Sequence, residues 1–303
     1  MSTKECDKDA SCQGCAQSEQ CSEAEKEAHE EQRLREAMSL VKHKFMVLSG
    51  KGGVGKSSVA VNLAVTLANQ GFEVGLMDAD IHGPNIPKMM GVEEKRLVGS
   101  MEGLLPIPAP AGVKVMSVAF LLQSKDDAVI WRGPLKHSLI KQFLGDVFWG
   151  TLDYLIIDLP PGTGDEALST AHLIKEVDGA VIVTTPQDVA LLDSRKSITF
   201  CRQLRIPRIG VVENMSGFTC PHCGKEIDIF KVGGGEKAAH EMSVPFLGRI
   251  PLEPGMVESS DTGSPYVARN PDSRVAEAFR SIAEQWRILL DSSGEKHASV
   301  IGA

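Results

Sequence analysis

The chain has 303 residues, 42% hydrophobic and 24% charged, the proportions of a globular protein with room for one large α/β domain and short appendages. Its net charge is −8 with no dense Lys/Arg cluster, which argues against nucleic acid as the main partner, because phosphate backbones select basic surfaces. No apolar stretch reaches bilayer-spanning length, Met1–Glu31 is too polar and acidic for a signal or transit peptide, and Asp291–Ala303 forms no basic amphipathic helix. A cytoplasmic location without membrane attachment is expected.

Taken in chain order, residues 1–21 carry Cys6, Cys12, Cys15 and Cys21, four of the seven cysteines, in a segment too polar to bury a core of its own. In a reducing compartment such clustering points to metal or redox chemistry rather than structural disulfides, so a metal is expected to organise this tail. Residues 22–43 are rich in Glu, Ala, Lys and Arg, with Ala28, Leu34, Met38 and Val41 in one helical stripe. They read as a charge-rich, solvated linker helix. The main domain is expected over 44–290, followed by a flexible tail over 291–303.

Phe45–Leu48 reads as a buried strand and Lys56–Asn69 as a helix. Between them Gly50-Lys51-Gly52-Gly53-Val54-Gly55-Lys56-Ser57 holds the G-x-x-x-x-G-K-S frame of a phosphate-binding loop. Backbone N–H groups of Gly50 to Lys56, with Ser58 at the helix start, are placed to converge on phosphate oxygens. Lys56 is expected on the β- and γ-phosphates of ATP and the Ser57 hydroxyl on Mg²⁺.

The strand Val74–Met77 runs into Asp78-Ala79-Asp80. A carboxylate at such a strand end can hold the Mg²⁺ shell or orient the attacking water, and for Asp78 a strand-capping role stands equally beside the magnesium role. Further strands are expected at Val113–Ser117, Tyr154–Asp158, Ala180–Thr184, Arg208–Glu213 and Phe246–Gly248. Helices are expected at Leu135–Leu144, Asp165–Ile174, Val189–Leu204, Gly235–Glu241 and Asp272–Leu290. Tyr154–Asp158 is apolar up to its terminal acid, as in a Walker B strand, and enters Leu159-Pro160-Pro161-Gly162-Thr163-Gly164-Asp165. A glycine there can follow the γ-phosphate as it leaves. This alternation predicts an α/β fold of the P-loop NTPase kind, a mainly parallel sheet with helices on both faces.

Cys220 and Cys223 form a C-x-x-C in a Gly/Pro-flanked loop. Two thiolates make half of a zinc or 4Fe–4S site, and a two-fold axis supplies the other half. From the residues alone, an iron–sulfur cluster, a zinc knuckle across a dimer and a redox dithiol remain open. Cys201, on a helical stretch, reads as a small buried residue.

Taken together, residues 50–57, the Asp-Ala-Asp-Ile-His-Gly-Pro-Asn run at 78–85 and the Asp-Leu-Pro-Pro-Gly-Thr-Gly-Asp run at 158–165 resemble the Mrp/ApbC family. These are P-loop ATPases of the deviant Walker A group, with MinD and ParA, that carry iron–sulfur clusters. The likeness runs from about Lys44 to about Leu290 and includes Val212-Glu213-Asn214-Met215-Ser216. It implies a homodimer in which Lys51 reaches the partner's nucleotide. It further implies that Asp80 orients water, Asp158 acts on Mg²⁺ through water and Asn214 hydrogen-bonds the adenine. Cys220 and Cys223 would hold a 4Fe–4S cluster bridging two subunits, to be handed to recipient apoproteins. Cys12, Cys15 and Cys21 resemble the N-terminal ferredoxin-like motif of eukaryotic cytosolic scaffold ATPases in the same family. Cys6 stands nearer to them than that motif's first cysteine, and the four together imply a second cluster.

Rival readings are less well served. A positioning ATPase of the ParA/MinD type leaves six cysteines without a task. A reductase like the nitrogenase iron protein needs cysteines near Ile81–Gly91 or Leu159–Asp165, where there are none. A zinc-stapled nucleotide switch remains as the plainer alternative.

Overall fold

The structure is a computed structural model that describes residues 22–100, 103–122, 133–174 and 176–292. The first half runs α1 (Glu23–Ser39), β1 (Val41–Leu48), α2 (Lys56–Asn69), β2 (Val74–Asp78), α3 (Ile86–Met89), β3 (Gly99–Ser100), β4 (Gly103–Leu104), β5 (Ile107–Pro108), β6 (Lys114–Ser117) and α4 (Gly133–Gly145). The second half runs β7 (Leu152–Asp158), α5 (Asp165–Ile174), β8 (Gly179–Thr184), α6 (Asp188–Gln203), β9 (Ile209–Glu213), β10 (Phe218–Thr219), β11 (Glu226–Ile227) and α7 (Gly234–Glu241). It closes with β12 (Phe246–Arg249), α8 (Pro254–Asp261), α9 (Tyr266–Arg269) and α10 (Arg274–Asp291).

Eight strands form one sheet in the order β12-β9-β8-β1-β7-β2-β6-β5. Every neighbouring pair is parallel except β5 against β6. The unbroken apolar strands are explained by burial on both faces. Successive side chains alternate between two layers. Phe45, Val47, Leu76 and Ile156 face one core with Val59 and Leu63 of α2 and Phe279 and Trp286 of α10. Met46, Leu48, Met77 and Ile157 face the other with residues of α1, α4, α5 and α6. The fold is that of a P-loop NTPase with helices on both faces, as the strand–helix alternation predicts.

The linker differs from expectation. A capping box starts α1, with Glu25 N donating to Ser22 Oγ and Ser22 N donating to the Glu25 carboxylate at 2.8 Å. The helix ends at Ser39 rather than running through residue 43, and Val41 pairs with Leu152 as a strand residue. Buried Lys44 secures the break by donating to the carbonyls of Val41 (3.2 Å) and Met38 (3.4 Å). Nor is α1 solvated all round. Ala28 is exposed, but Leu34 and Met38 join the second core, and Arg33 pairs with Asp146 at 3.2 Å beyond the end of α4. No described helix is long and apolar enough to cross a membrane.

Candidate nucleotide and cysteine sites

β1 lies in the middle of the sheet, and its loop turns straight into α2. Gly53 and Gly55 both take φ of +80°, a left-handed backbone that costs other residues about 1–2 kcal/mol. Gly55 is doubly constrained, because a Cβ built there would overlap the Asn214 amide nitrogen. That nitrogen donates to Val54 O at 2.9 Å, so Asn214, expected at the adenine, also braces the loop itself. Gly50 backs onto the Asp193 backbone of α6 with no room for a side chain, whereas Gly52 faces open space. Gly55→Ala is therefore expected to weaken ADP binding at least about tenfold, the loss of one or two good hydrogen bonds. Calorimetric titration with ADP checks this, and unchanged affinity would show that the loop's shape does not govern binding.

Lys56 opens α2 and lies buried beneath the loop. Its Nζ sits 2.6 Å from Asp158 Oδ1, and Ser57 Oγ donates to Asp158 Oδ2 at 2.6 Å. Ser58 follows on the same turn, half-buried. Asp158 ends β7 and Asp78 ends β2, and the parallel register sets the two side by side. Both are fully buried. Burial pushes the Asp158 carboxyl above the usual carboxylate range, opposed by Lys56 and Ser57. Burial pushes Asp78 well above it, and the like charge of Asp158 adds to the shift.

Asp78 accepts from Asp80 N (3.1 Å), Ser117 Oγ (3.2 Å) and Ile86 N (3.3 Å). These bonds fasten the loop after β2 and the start of α3. Asp80 stands half-buried on that loop, its Oδ1 accepting from Gly83 N at 3.2 Å. On the other side, Ser49 Oγ donates to Lys51 O at 2.9 Å and Gly162 N donates to Ser49 O at 2.8 Å. The segment following Asp158 is thus laced to the base of the phosphate loop. The structure gathers Lys56, Ser57, Asp78 and Asp158 at one point, with Asp80 beside them and Asn214 joined through Val54.

Cys220 and Cys223 sit at the tip of the hairpin formed by β10 and β11. Cys220 N donates to Lys225 O and Gly224 N donates to Cys220 O, both at 2.9 Å, and Gly224 turns the chain at φ +69°. Cys220 is half-exposed and Cys223 exposed. Hydrogen bonding from the backbone of Cys223, then of His222, then from the Cys223 side chain holds the Cys220 thiol below its ordinary pKa. Among the described residues no group of three or more His, Cys, Asp or Glu side chains is placed to hold a metal, so the hairpin offers two thiols. Cys201 is buried, its thiol pushed up to about 12 by desolvation, which makes it a poor ligand. Cys6, Cys12, Cys15 and Cys21 lie outside the described residues.

The sequence model of the NUBPL iron-transfer P-loop NTPases matches residues 40–287. The chain belongs to this family. Among its relatives, this NUBPL-type NTPase is 51% identical to the iron-sulfur cluster carrier protein of Methanocaldococcus jannaschii, over 95% of this chain and 98% of that one. It is 50% identical to the protein of the same name from Saccharolobus solfataricus, over 84% of this chain and 86% of that one. Among solved structures it resembles the nucleotide-binding protein of Archaeoglobus fulgidus in complex with ADP. The TM-score is 0.69 at 41% identity, covering 77% of this chain and 91% of the other. The cell division ATPase MinD of Pyrococcus furiosus aligns at TM-score 0.57 and 25% identity, over 82% and 99% of the two chains.

One side chain in this region had no role in the sequence reading. Glu213 ends β9 fully buried, as Asp78 and Asp158 end theirs. An acid closing an otherwise apolar strand is the signal that could have found it.

Proposed function

We propose that this chain is an ATP-hydrolysing carrier of iron–sulfur clusters that works as a homodimer. The observation that carries the reading is the hairpin bearing Cys220 and Cys223: two accessible thiols, one already biased toward thiolate, and only half of a cluster's ligand set. A two-fold axis completes the set with the partner's pair, giving a 4Fe–4S cluster shared between subunits and open to transfer. Membership of an iron-transfer family, and relatives named as iron-sulfur cluster carriers, support this cargo over zinc. The four N-terminal cysteines hold a second cluster, and recipient apoproteins take the cargo in the cytoplasm, with neither nucleic acid nor membrane as partner.

At the other site, Lys56 neutralises phosphate charge, Lys51 reaches toward the partner's nucleotide and Asp80 orients the attacking water. Ser57 Oγ and the Asp158 carboxylate lie 2.6 Å apart and offer hard oxygens of the kind Mg²⁺ takes; Ser57 would hold the ion directly and Asp158 through water. When bound, the ion would supply positive charge to the phosphate oxygens.

Anaerobic reconstitution with iron and sulfide tests the cargo. Metal analysis, Mössbauer spectra and sedimentation should show a 4Fe–4S cluster in a dimer. Zinc alone, or a cluster retained by monomers at the hairpin, would overturn the reading.

A further inference from the structure

β9 ends at Glu213, and Glu213 and the residue after it, Asn214, engage different parts of the molecule. Asn214 reaches the phosphate loop, its Nδ2 on Val54 O at 2.9 Å and its amide packed against Gly55. Glu213 is fully buried, its carboxylate set between Ser216, ahead of the cysteine hairpin, and the start of α7, beyond it.

Its contacts come from both sides of that hairpin. Ahead of it, Ser216 Oγ donates to Glu213 Oε1. Beyond it, Gly233 N donates to Oε1 at 2.9 Å, and Gly235 N donates to Oε2. Gly233 and Gly235 lie at the start of α7, whose N-terminal partial charge favours a carboxylate, and Arg249 Nε stands 3.6 Å away. A Cβ at Gly235 would press on Glu213 at 3.0 Å, so glycine is what allows the close approach. The backbone that leads into the hairpin is held in place: Ser216 N donates to Ile250 O, Leu252 N donates to Gly217 O, and Met215 takes φ of +57°. A buried carboxylate with partners on both flanks of a hairpin fixes where that hairpin stands.

We propose that Glu213 is a positioning residue that joins the phosphate loop to the cysteine hairpin, so that nucleotide occupancy sets the reactivity of Cys220 and Cys223. A shift of Val54 on nucleotide binding moves Asn214. The peptide that joins Asn214 to Glu213 then moves the carboxylate, and both roots of the hairpin follow. The inference rests on the nucleotide-binding part of the function proposed above and is independent of which metal the thiols hold.

The test uses the reduced, metal-free full chain. Alkylation of Cys220 and Cys223 by iodoacetamide is followed by peptide mass spectrometry, with and without Mg-ATP. In the wild type, nucleotide should change the rate about fivefold or more, the lower range of ordinary inter-site coupling. In Glu213→Gln, which keeps the size but faces an N–H donor with an amide NH₂, that ratio should fall close to one while ADP affinity stays near the wild-type value. A merely structural role would alter the baseline rate and leave the ratio intact. Ser216→Ala removes only the contact ahead of the hairpin and should lower the ratio partway. It decides the matter if Glu213→Gln does not fold. A wild-type ratio of one, or variants that keep the full ratio, would overturn the proposal. Absent ADP binding in the wild type would remove the nucleotide reading along with it. Failed iron reconstitution with the ratio intact would remove only the cargo.

Discussion

In Lys56→Ala protein, ATP turnover is expected to fall by at least about a hundredfold, the scale on which one preorganised charge at a phosphoryl or oxyanion centre acts. Stability is expected to fall as well, and by a pH-dependent amount. Lys56 Nζ lies 2.6 Å from a fully buried carboxylate, and breaking such a pair from one side costs about 3–5 kcal/mol, or roughly 5–10 °C in Tm for a chain of this size.

Asp158 can limit this cost by taking up a proton. Its folded pKa is already raised by burial, and loss of Lys56 raises it further. With a raised folded pKa, the folded state holds more protons than the unfolded one, so stability declines as pH rises from the unfolded carboxylate value of about 4 through the folded pKa. The gap between wild type and variant should therefore be small near pH 5 and large near pH 8. Thermal melts of both proteins across that range check it. Equal gaps at both ends would mean that Asp158 does not carry the cost.

The second large effect is expected at the hairpin. Cys220→Ala/Cys223→Ala protein should lose the shared cluster entirely, with residual iron confined to Cys6, Cys12, Cys15 and Cys21. Cys201 cannot substitute, because its thiol is buried and far from ionising. Iron and sulfide analysis after reconstitution, beside sedimentation, measures the loss. Full retention of iron and of the dimer would remove the hairpin from the cluster site.

Cys223→Ala alone gives a finer reading. It deletes the side-chain contribution to the Cys220 shift and keeps the backbone ones. The alkylation profile of Cys220 in the wild type should have its midpoint below the ordinary thiol value of about 8.5, and the midpoint should move partway up in the variant. Because ligation requires the thiolates, metal retention should weaken as pH falls through that midpoint. Coincident alkylation profiles would show that the two cysteines do not interact.

Much of this molecule could be read from local pattern. Glycines at 53 and 55, a lysine and a serine after them and an apolar strand before them are neighbours along the chain, and the loop they make is a local object. Strands buried on both faces announce themselves as unbroken apolar runs, which is why β1, β2, β7, β8 and β9 stood out. The errors fall where tertiary contacts overrule local preference. Val41 continued the helical stripe of α1 yet became a strand residue, because pairing with Leu152 and the Lys44 contacts to the helix end outweigh one more helical turn. The short hairpin of β10 and β11, the antiparallel edge strand β5 and the four-residue helix α9 carry too few residues for any periodicity to register.

By itself, then, the order of residues determined the sheet-and-helix class, the phosphate loop, the two strand-end acids and the pairing of Cys220 with Cys223. Each depends on groups within a few positions of one another, where chain geometry alone sets the outcome. The folded arrangement decided that Asp78 stands beside Asp158, that Asn214 braces the loop 160 residues before it, and that Glu213 meets both Ser216 and the start of α7. Such meetings follow from strand order and burial across the sheet, and no local spacing encodes them.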